Sequence, residues 1–375
     1  MRRASSRPRS LATTALALAT LVAACGGRAR PGYYTAGMAE PPAPMYAIGA
    51  YDASGEGYNA VREGAEVAVA DAPVSTFAID VDTASMANVR RFLEDGMLPP
   101  ADAVRVEEMI NYFDYAYPDP VGPHPFAIVA ETGPSPLHAG RRLVHLGLQG
   151  QRIEASELPP RNLVFLIDTS GSMGSPDKLP LLQQGMSMLA GTLTARDTVA
   201  IVAYAGSIGT VLPPTPGDRQ DEIVSAIASL TSGGATNGAG GIEAAYALAR
   251  ERFDAGGINR VILATDGDFN VGVSDQDGLI ALIEREKHSG VYLTVLGFGT
   301  GNLQDGTMEQ LADKGNGNYG YIDSVAEARK LLVEEAGGTL VTIAKDVKVQ
   351  VEFDPAAVVS YRLIGYDNRV MAAED

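Results

Sequence analysis

The chain has 375 residues, of which 29 are basic and 46 acidic, giving a formal charge of −17 with one cysteine. A surface this acidic repels phosphate backbones, which excludes nucleic acid as a partner. A single thiol excludes an intrachain disulfide.

The N-terminus reads as a targeting segment. Arg2, Arg3, Arg7 and Arg9 form a basic head, and residues 11–22 form an apolar run too short to span a bilayer comfortably as a helix. The run ends in Val22-Ala-Ala-Cys25, followed by Gly26-Gly27. This resembles a bacterial lipoprotein signal with its lipobox. The resemblance implies cleavage of residues 1–24, lipidation of the Cys25 thiol and a place in the cell envelope. Removing four arginines and no acid takes the charge from −17 to −21, so membrane attachment would come from the lipid rather than from electrostatics. Residues 25–73 are rich in Gly, Ala, Pro and Tyr without periodicity and are predicted to be a flexible tether. No second apolar run reaches membrane-spanning length.

Residues 74–160 are predicted to be α+β. Thr76-Phe-Ala-Ile-Asp80-Val-Asp82-Thr-Ala-Ser85 reads as a strand running into a helix over 86–93, with Asp82, Thr83 or Ser85 as its cap. A second helix fits 104–112, and strands fit 125–132 and 142–148.

Residues 161–337 alternate strand and helix patterns. Strands are predicted at 163–168, 198–204, 261–265 and 291–298. Leu179, Leu182, Met186, Leu189 and Leu193 mark one helical face; Ile242, Tyr246, Ala249 and Phe253 mark another. Helices are also predicted at 275–288 and 324–335. This alternation predicts an α/β domain with a doubly wound, mainly parallel sheet. Beyond it, Val347, Val349, Val351 and Phe353 alternate with Lys348, Gln350 and Glu352, a half-buried strand, and 358–364 fits another. The strands at 125–148 and 347–364 are expected to pair in a β-rich flanking module into which the α/β domain is inserted.

The apolar run ending in Asp168-Thr-Ser170-Gly-Ser172 is the strongest chemical signal. Open α/β sheets deliver functional groups at the carboxyl ends of their strands. One carboxylate and two hydroxyls would converge there, a set suited to Mg²⁺, Ca²⁺ or Mn²⁺ rather than zinc or copper. A second apolar run ends in Thr265-Asp266-Gly267, and a glycine-rich loop at 232–241 carries Thr236. Together Asp168, Ser170, Ser172, Thr236 and Asp266 resemble the metal-ion-dependent adhesion site of the von Willebrand factor type A domain, and the likeness covers 161–337. It implies a Mg²⁺ site (Mn²⁺ or Ca²⁺ in its place) that accepts an Asp or Glu carboxylate from a protein partner. Residues 76–114 resemble the N-terminal region that precedes this domain in bacterial lipoproteins. Members of that group continue past residue 375, so 338–375 reads as the start of a C-terminal β segment, truncated here.

Enzymatic patterns fit poorly. Asp80-Val-Asp82-Thr83 is similar to a phosphatase D-x-D-x-T, but Ala84 stands where Thr or Val is expected. Ser175-Pro-Asp-Lys178 fits S-x-x-K without the companion motifs. The four histidines show no ligand spacing, and the loop at 232–241 lacks a P-loop lysine. The expectation is a non-enzymatic binding module. A metal-dependent hydrolase and an ion that merely staples loops are the alternatives.

Overall fold

In a computed structural model of the chain, residues 55–60, 63–153, 155–234, 238–267, 276–335, 341–344, 347–366 and 370–371 are described. Cys25 and Thr236 lie outside them. No helix among the described residues is long and apolar enough to cross a membrane.

The N-terminal flank holds strands β1 (Val67–Ala68) and β2 (Val74–Ala78), helices α1 (Ala84–Glu94) and α2 (Val106–Asn111), and the hairpin strands β3 (Phe126–Pro134) and β4 (Arg142–Gly150). The central domain follows with β5 (Arg161–Asp168), α3 (Leu179–Ala190), β6 (Thr198–Tyr204), β7 (Ile208–Pro216), α4 (Gln220–Ser229), α5 (Gly238–Glu251) and β8 (Ile258–Thr265). It continues through α6 (Gln276–Lys287), β9 (Tyr292–Phe298), α7 (Asp305–Lys314), β10 (Tyr319–Ile322) and α8 (Val325–Arg329), and β11 (Lys348–Glu352) and β12 (Ser360–Tyr361) close the order.

The central sheet runs β10-β9-β8-β5-β6-β7, parallel except for the antiparallel edge strand β7. All eight positions of β5 and of β8 are buried, as expected for strands covered on both faces. Side chains alternate across β5. Leu163, Phe165 and Ile167 enter a core with Leu182, Met186 and Leu189 of α3, whereas Val164 and Leu166 enter another with Ile242 and Tyr246 of α5. The doubly wound α/β expectation therefore holds. Phe253 departs from its predicted face: it lies past the end of α5 and is 43% exposed. Strands β7 and β10 and helices α4 and α7 were not predicted. β7 carries Pro213, Pro214 and Pro216, which argue against a strand in general but are tolerated on an edge.

Three features of the flanks differ from expectation. First, residues 55–60 and 63–73 are not a loose tether. Glu56 is buried in an ion pair with Arg91 at 2.8 Å, Gly57 N donates to Leu303 O at 2.8 Å, and β1 pairs with β12. Second, the C-terminal strands do not pair with 125–148 among the described residues. β11 lies antiparallel to β2, with Val349 opposite Phe77, and β3 pairs with β4 over nine residues. The long hairpin satisfies its own backbone, while the half-apolar β11 finds apolar cover at Phe77. Third, the predicted side-chain cap of α1 is absent. Thr83 occupies the N-cap without a cap hydrogen bond, Ser85 Oγ donates to Ala103 O, and Asp82 Oδ1 accepts Tyr319 N. Tertiary contacts have taken the polar groups that a lone helix would spend on itself.

Helices α2 and α7 are tied by a buried charge cluster. Arg105, 4% exposed, donates to Glu108 and Asp305 and lies 3.8 Å from Glu309. Burial pushes Glu108 up to about 8 and Glu309 up to about 7, against the pull of Arg105. A carboxyl raised in the folded state holds its proton more tightly folded than unfolded. Its contribution is complete below about pH 4.3 and is lost as pH rises through the folded value. Glu309→Gln should therefore flatten the fall in melting temperature between pH 5 and pH 8, read by thermal unfolding across that range. An unchanged slope would remove Glu309 from the account.

Candidate metal centre

In the sheet order β8 and β5 are neighbours, and the chain leaves the carboxyl end of β5 towards β6 but leaves that of β8 the other way, towards β9. Such a switch point opens a crevice above the sheet, where ligands bind in folds of this kind. Asp168 is the last residue of β5 and Asp266 follows the last residue of β8; both are fully buried. In register, Tyr204 at the end of β6 stands opposite Asp168.

A chain of short contacts links the described donors. Ser170 N donates to Asp168 Oδ1 at 2.9 Å, and the Ser170 and Ser172 hydroxyls lie 3.0 Å apart. Ser172 in turn lies beside Asp266 and helps to hold that carboxyl low. Thr265 Oγ1 donates to Asp168 Oδ2 at 2.9 Å and accepts from Gly267 N. Gly267, at φ +90, is required in that turn, because a Cβ would lie 2.8 Å from the Gln304 backbone nitrogen. The structure thus brings Asp168, Ser170, Ser172 and Asp266 together. The loop leading to Thr236 is bound to the Ser170 loop through Gly233 N to Thr169 O (2.7 Å) and Gly171 N to Gly234 O (3.1 Å).

The two carboxylates are driven in opposite directions. Burial pushes Asp168 up, and the charge of Asp266 adds to this, against hydrogen bonds from Ser170 and Thr265. Burial also raises Asp266, but hydrogen bonds from Asn302, Ser172 and Lys178 outweigh it and hold that carboxyl below its usual range. The donors are all oxygens, two of them ionisable, which suits a hard dication. Tyr204 is wholly buried beside Asp168 and Thr265, so its hydroxyl is a further polar group at the donor set. Ser172 is an exposed residue, so the carboxylates lie deep while the donor set reaches the surface at that position.

A family model described as the von Willebrand factor type A domain matches residues 162–334. Residues 162–334 are a von Willebrand factor type A domain. A second family model, described as von Willebrand factor, matches 52–145, and a third, the C-terminal part of the uncharacterized protein YfbK, matches 338–375. The chain is 48% identical over 313 residues to uncharacterized protein YfbK of Escherichia coli (strain K12), which covers 82% of this chain and 54% of that one. It is 30% identical over 149 residues to inter-alpha-trypsin inhibitor heavy chain H4 of Homo sapiens, covering 37% and 16%. A solved von Willebrand factor type A protein from Catenulispora acidiphila aligns at 20% identity with a TM-score of 0.42, over 52% of this chain and 45% of that one. The chain spans about half the length of the Escherichia coli relative. Type A domains commonly bind a divalent metal and typically mediate metal-dependent protein interactions.

Sequence reasoning missed three groups in the crevice of the type A domain. Thr265 holds Asp168. Lys178 Nζ lies 3.0 Å from Asp266 Oδ2, and Asn302 Oδ1 accepts from the same ammonium at 2.7 Å. Lys178 looked like the end of an incomplete S-x-x-K motif. Its usable signal was its place between the Ser172 loop and the first turn of α3, close above the crevice. The loop carrying Asn302 is lashed to residues 55–59 through Gly301 N to Glu56 Oε1 (2.8 Å) and Gln304 Nε2 to Gly55 O (2.7 Å).

Away from this crevice, ligand atoms of Asp80, Asp82 and Glu108 lie within 4.8 Å of one another. Burial, then the charges of Asp80 and Glu108, push Asp82 well above the carboxylate range, and its Oδ1 accepts Tyr319 N. This cluster joins the flank to the β10 edge of the type A domain. The Asp80-Val-Asp82 segment is therefore an inter-element contact, where the sequence suggested a helix-capping turn.

Proposed function

We propose that the chain is an envelope-anchored, divalent-metal-dependent protein-binding module. Asp168, Ser170, Ser172 and Asp266, with Thr236, hold Mg²⁺, Mn²⁺ or Ca²⁺, and an open coordination position takes an Asp or Glu carboxylate of a protein partner. Lipidated Cys25 tethers the module to the membrane. The ion supplies a positive centre to which an anionic oxygen can bind. The protein's own residues orient the donors: Thr265 and the Ser170 amide fix the two oxygens of Asp168, and Lys178 and Asn302 fix Asp266.

The observation that carries this reading is the gradient of exposure. Both carboxylates are fully buried at the switch point while Ser172, one contact away, is exposed. An ion held there would be supported from below and approachable from above. A loop-stapling ion needs closure by protein oxygens on every side. A hydrolase needs a base or nucleophile beside the ion, and the cation that the structure places there, Lys178, is committed to Asp266 and Asn302.

Capture of a partner from envelope extracts by the full chain should require a divalent ion. It should be lost in EDTA and in Asp168→Ala, with the variant's circular dichroism unchanged. Capture that survives both treatments would refute the reading.

A further inference from the structure

Lys178 is 4% exposed, a burial that a lysine rarely tolerates without fixed partners. Its ammonium has two, Asp266 Oδ2 at 3.0 Å and Asn302 Oδ1 at 2.7 Å. Its stem lies in a slot over Gly299, at φ +76, where a Cβ would fall 2.1 to 2.6 Å from Lys178 Cε, Cγ and Cδ. Only a glycine leaves room for that stem. The backbone is pinned as well, with Lys178 N donating to Ser175 O and Lys178 O accepting Leu182 N. Asn302 sits on the loop that residues 55–59 lash down. The ammonium is thus held from its backbone, along its stem and at its tip.

We propose that Lys178 is a permanent counter-charge built into the metal centre. It stays on Asp266 when the ion binds, weakens the hold on the bare ion and selects an anionic oxygen as the final ligand. The inference rests on the reading of the site given above. Charge balance gives the reason. Two carboxylates alone would neutralise a dication. With the ammonium cancelling Asp266, the loaded site keeps one net positive charge at a crevice with low-dielectric walls. Opposite charges attract most strongly in such surroundings. An incoming carboxylate then gains a charge–charge attraction that a neutral carbonyl or water does not.

The test uses the full chain, with Mn²⁺ as the ion and acetate as the carboxylate. Free Mn²⁺ is followed by electron paramagnetic resonance, and acetate binding by loss of water-proton relaxation at the bound ion. Lys178→Met should bind Mn²⁺ about tenfold more tightly than wild type and need about tenfold more acetate to displace bound water, the size of one pKa-unit equivalent of charge interaction. Equal or weaker Mn²⁺ binding in Lys178→Met, with binding lost in Asp168→Ala, overturns the proposal and leaves the metal reading standing. If Asp168→Ala binds Mn²⁺ like wild type, the metal reading itself fails. Tighter Mn²⁺ binding with unaltered acetate affinity makes Lys178 a mere place-holder for the ion, which also overturns the proposal. Crystals of the wild-type protein grown with Mn²⁺ decide the matter if the variant does not fold. Lys178 Nζ still in hydrogen-bond contact with Asp266 supports the counter-charge; Nζ displaced into solvent refutes it.

Discussion

Arg105→Ala is expected to lower unfolding free energy by about 3–5 kcal/mol, the cost of leaving buried ions without their partner. Arg105, the N-cap of α2, lies between Glu108 of that helix and Asp305 and Glu309 of α7, and all four residues are at most 5% exposed. Asp305 also accepts hydrogen bonds from Asn88 Nδ2 and Tyr319 Oη, so the cluster reaches α1 and the β10 edge. Without the guanidinium the carboxyls must take up protons or draw in water, and the flank loosens from the central domain. Urea unfolding of the variant reads the loss directly. Combining Arg105→Met with Glu108→Gln should recover part of it, because a neutral pair avoids the unpaired charge. A loss under 1 kcal/mol would mean that the flank is held by apolar contacts, such as those of Ala84 and Ala87 in the central core.

The second large effect is linkage between metal and stability. A ligand that binds only the folded chain, present at a hundredfold over its Kd, stabilises it by about 2.7 kcal/mol. Mg²⁺ should raise the melting temperature of the wild-type chain, and EDTA should reverse the rise. In Asp266→Ala the rise should vanish, because one of the two ionisable donors is gone and Lys178 faces the crevice with no carboxylate partner there. A rise that persists in Asp266→Ala would place the stabilising ion elsewhere, and the acids around Asp82 would then be the first place to look.

Much of this was legible in the sequence because it is written in local patterns. The buried run before Asp168 announced β5, the run before Asp266 announced β8, and the 3.6-residue spacing of Leu182, Met186 and Leu189 announced the buried face of α3. What stayed hidden depends on distant partners. The prolines of β7 look wrong for a strand until the strand is seen at an edge. Val349 and Val351 declared a half-buried strand but not that β2 would be its neighbour. Glu56 and Gly57, in a glycine-rich stretch without periodicity, gave no hint that Arg91 and Leu303 would hold them. Lys178 and Asn302 lie 124 positions apart, and nothing local in either segment says that they meet on Asp266.

The central claim is that donors from separate loops gather around one dication, and titration of the full chain with Mn²⁺ tests it most directly. The account predicts one tightly bound ion per chain for the wild type, absent from Asp168→Ala at the same concentrations. A wild-type chain that binds no Mn²⁺, or an Asp168→Ala chain that binds it equally well, would contradict it.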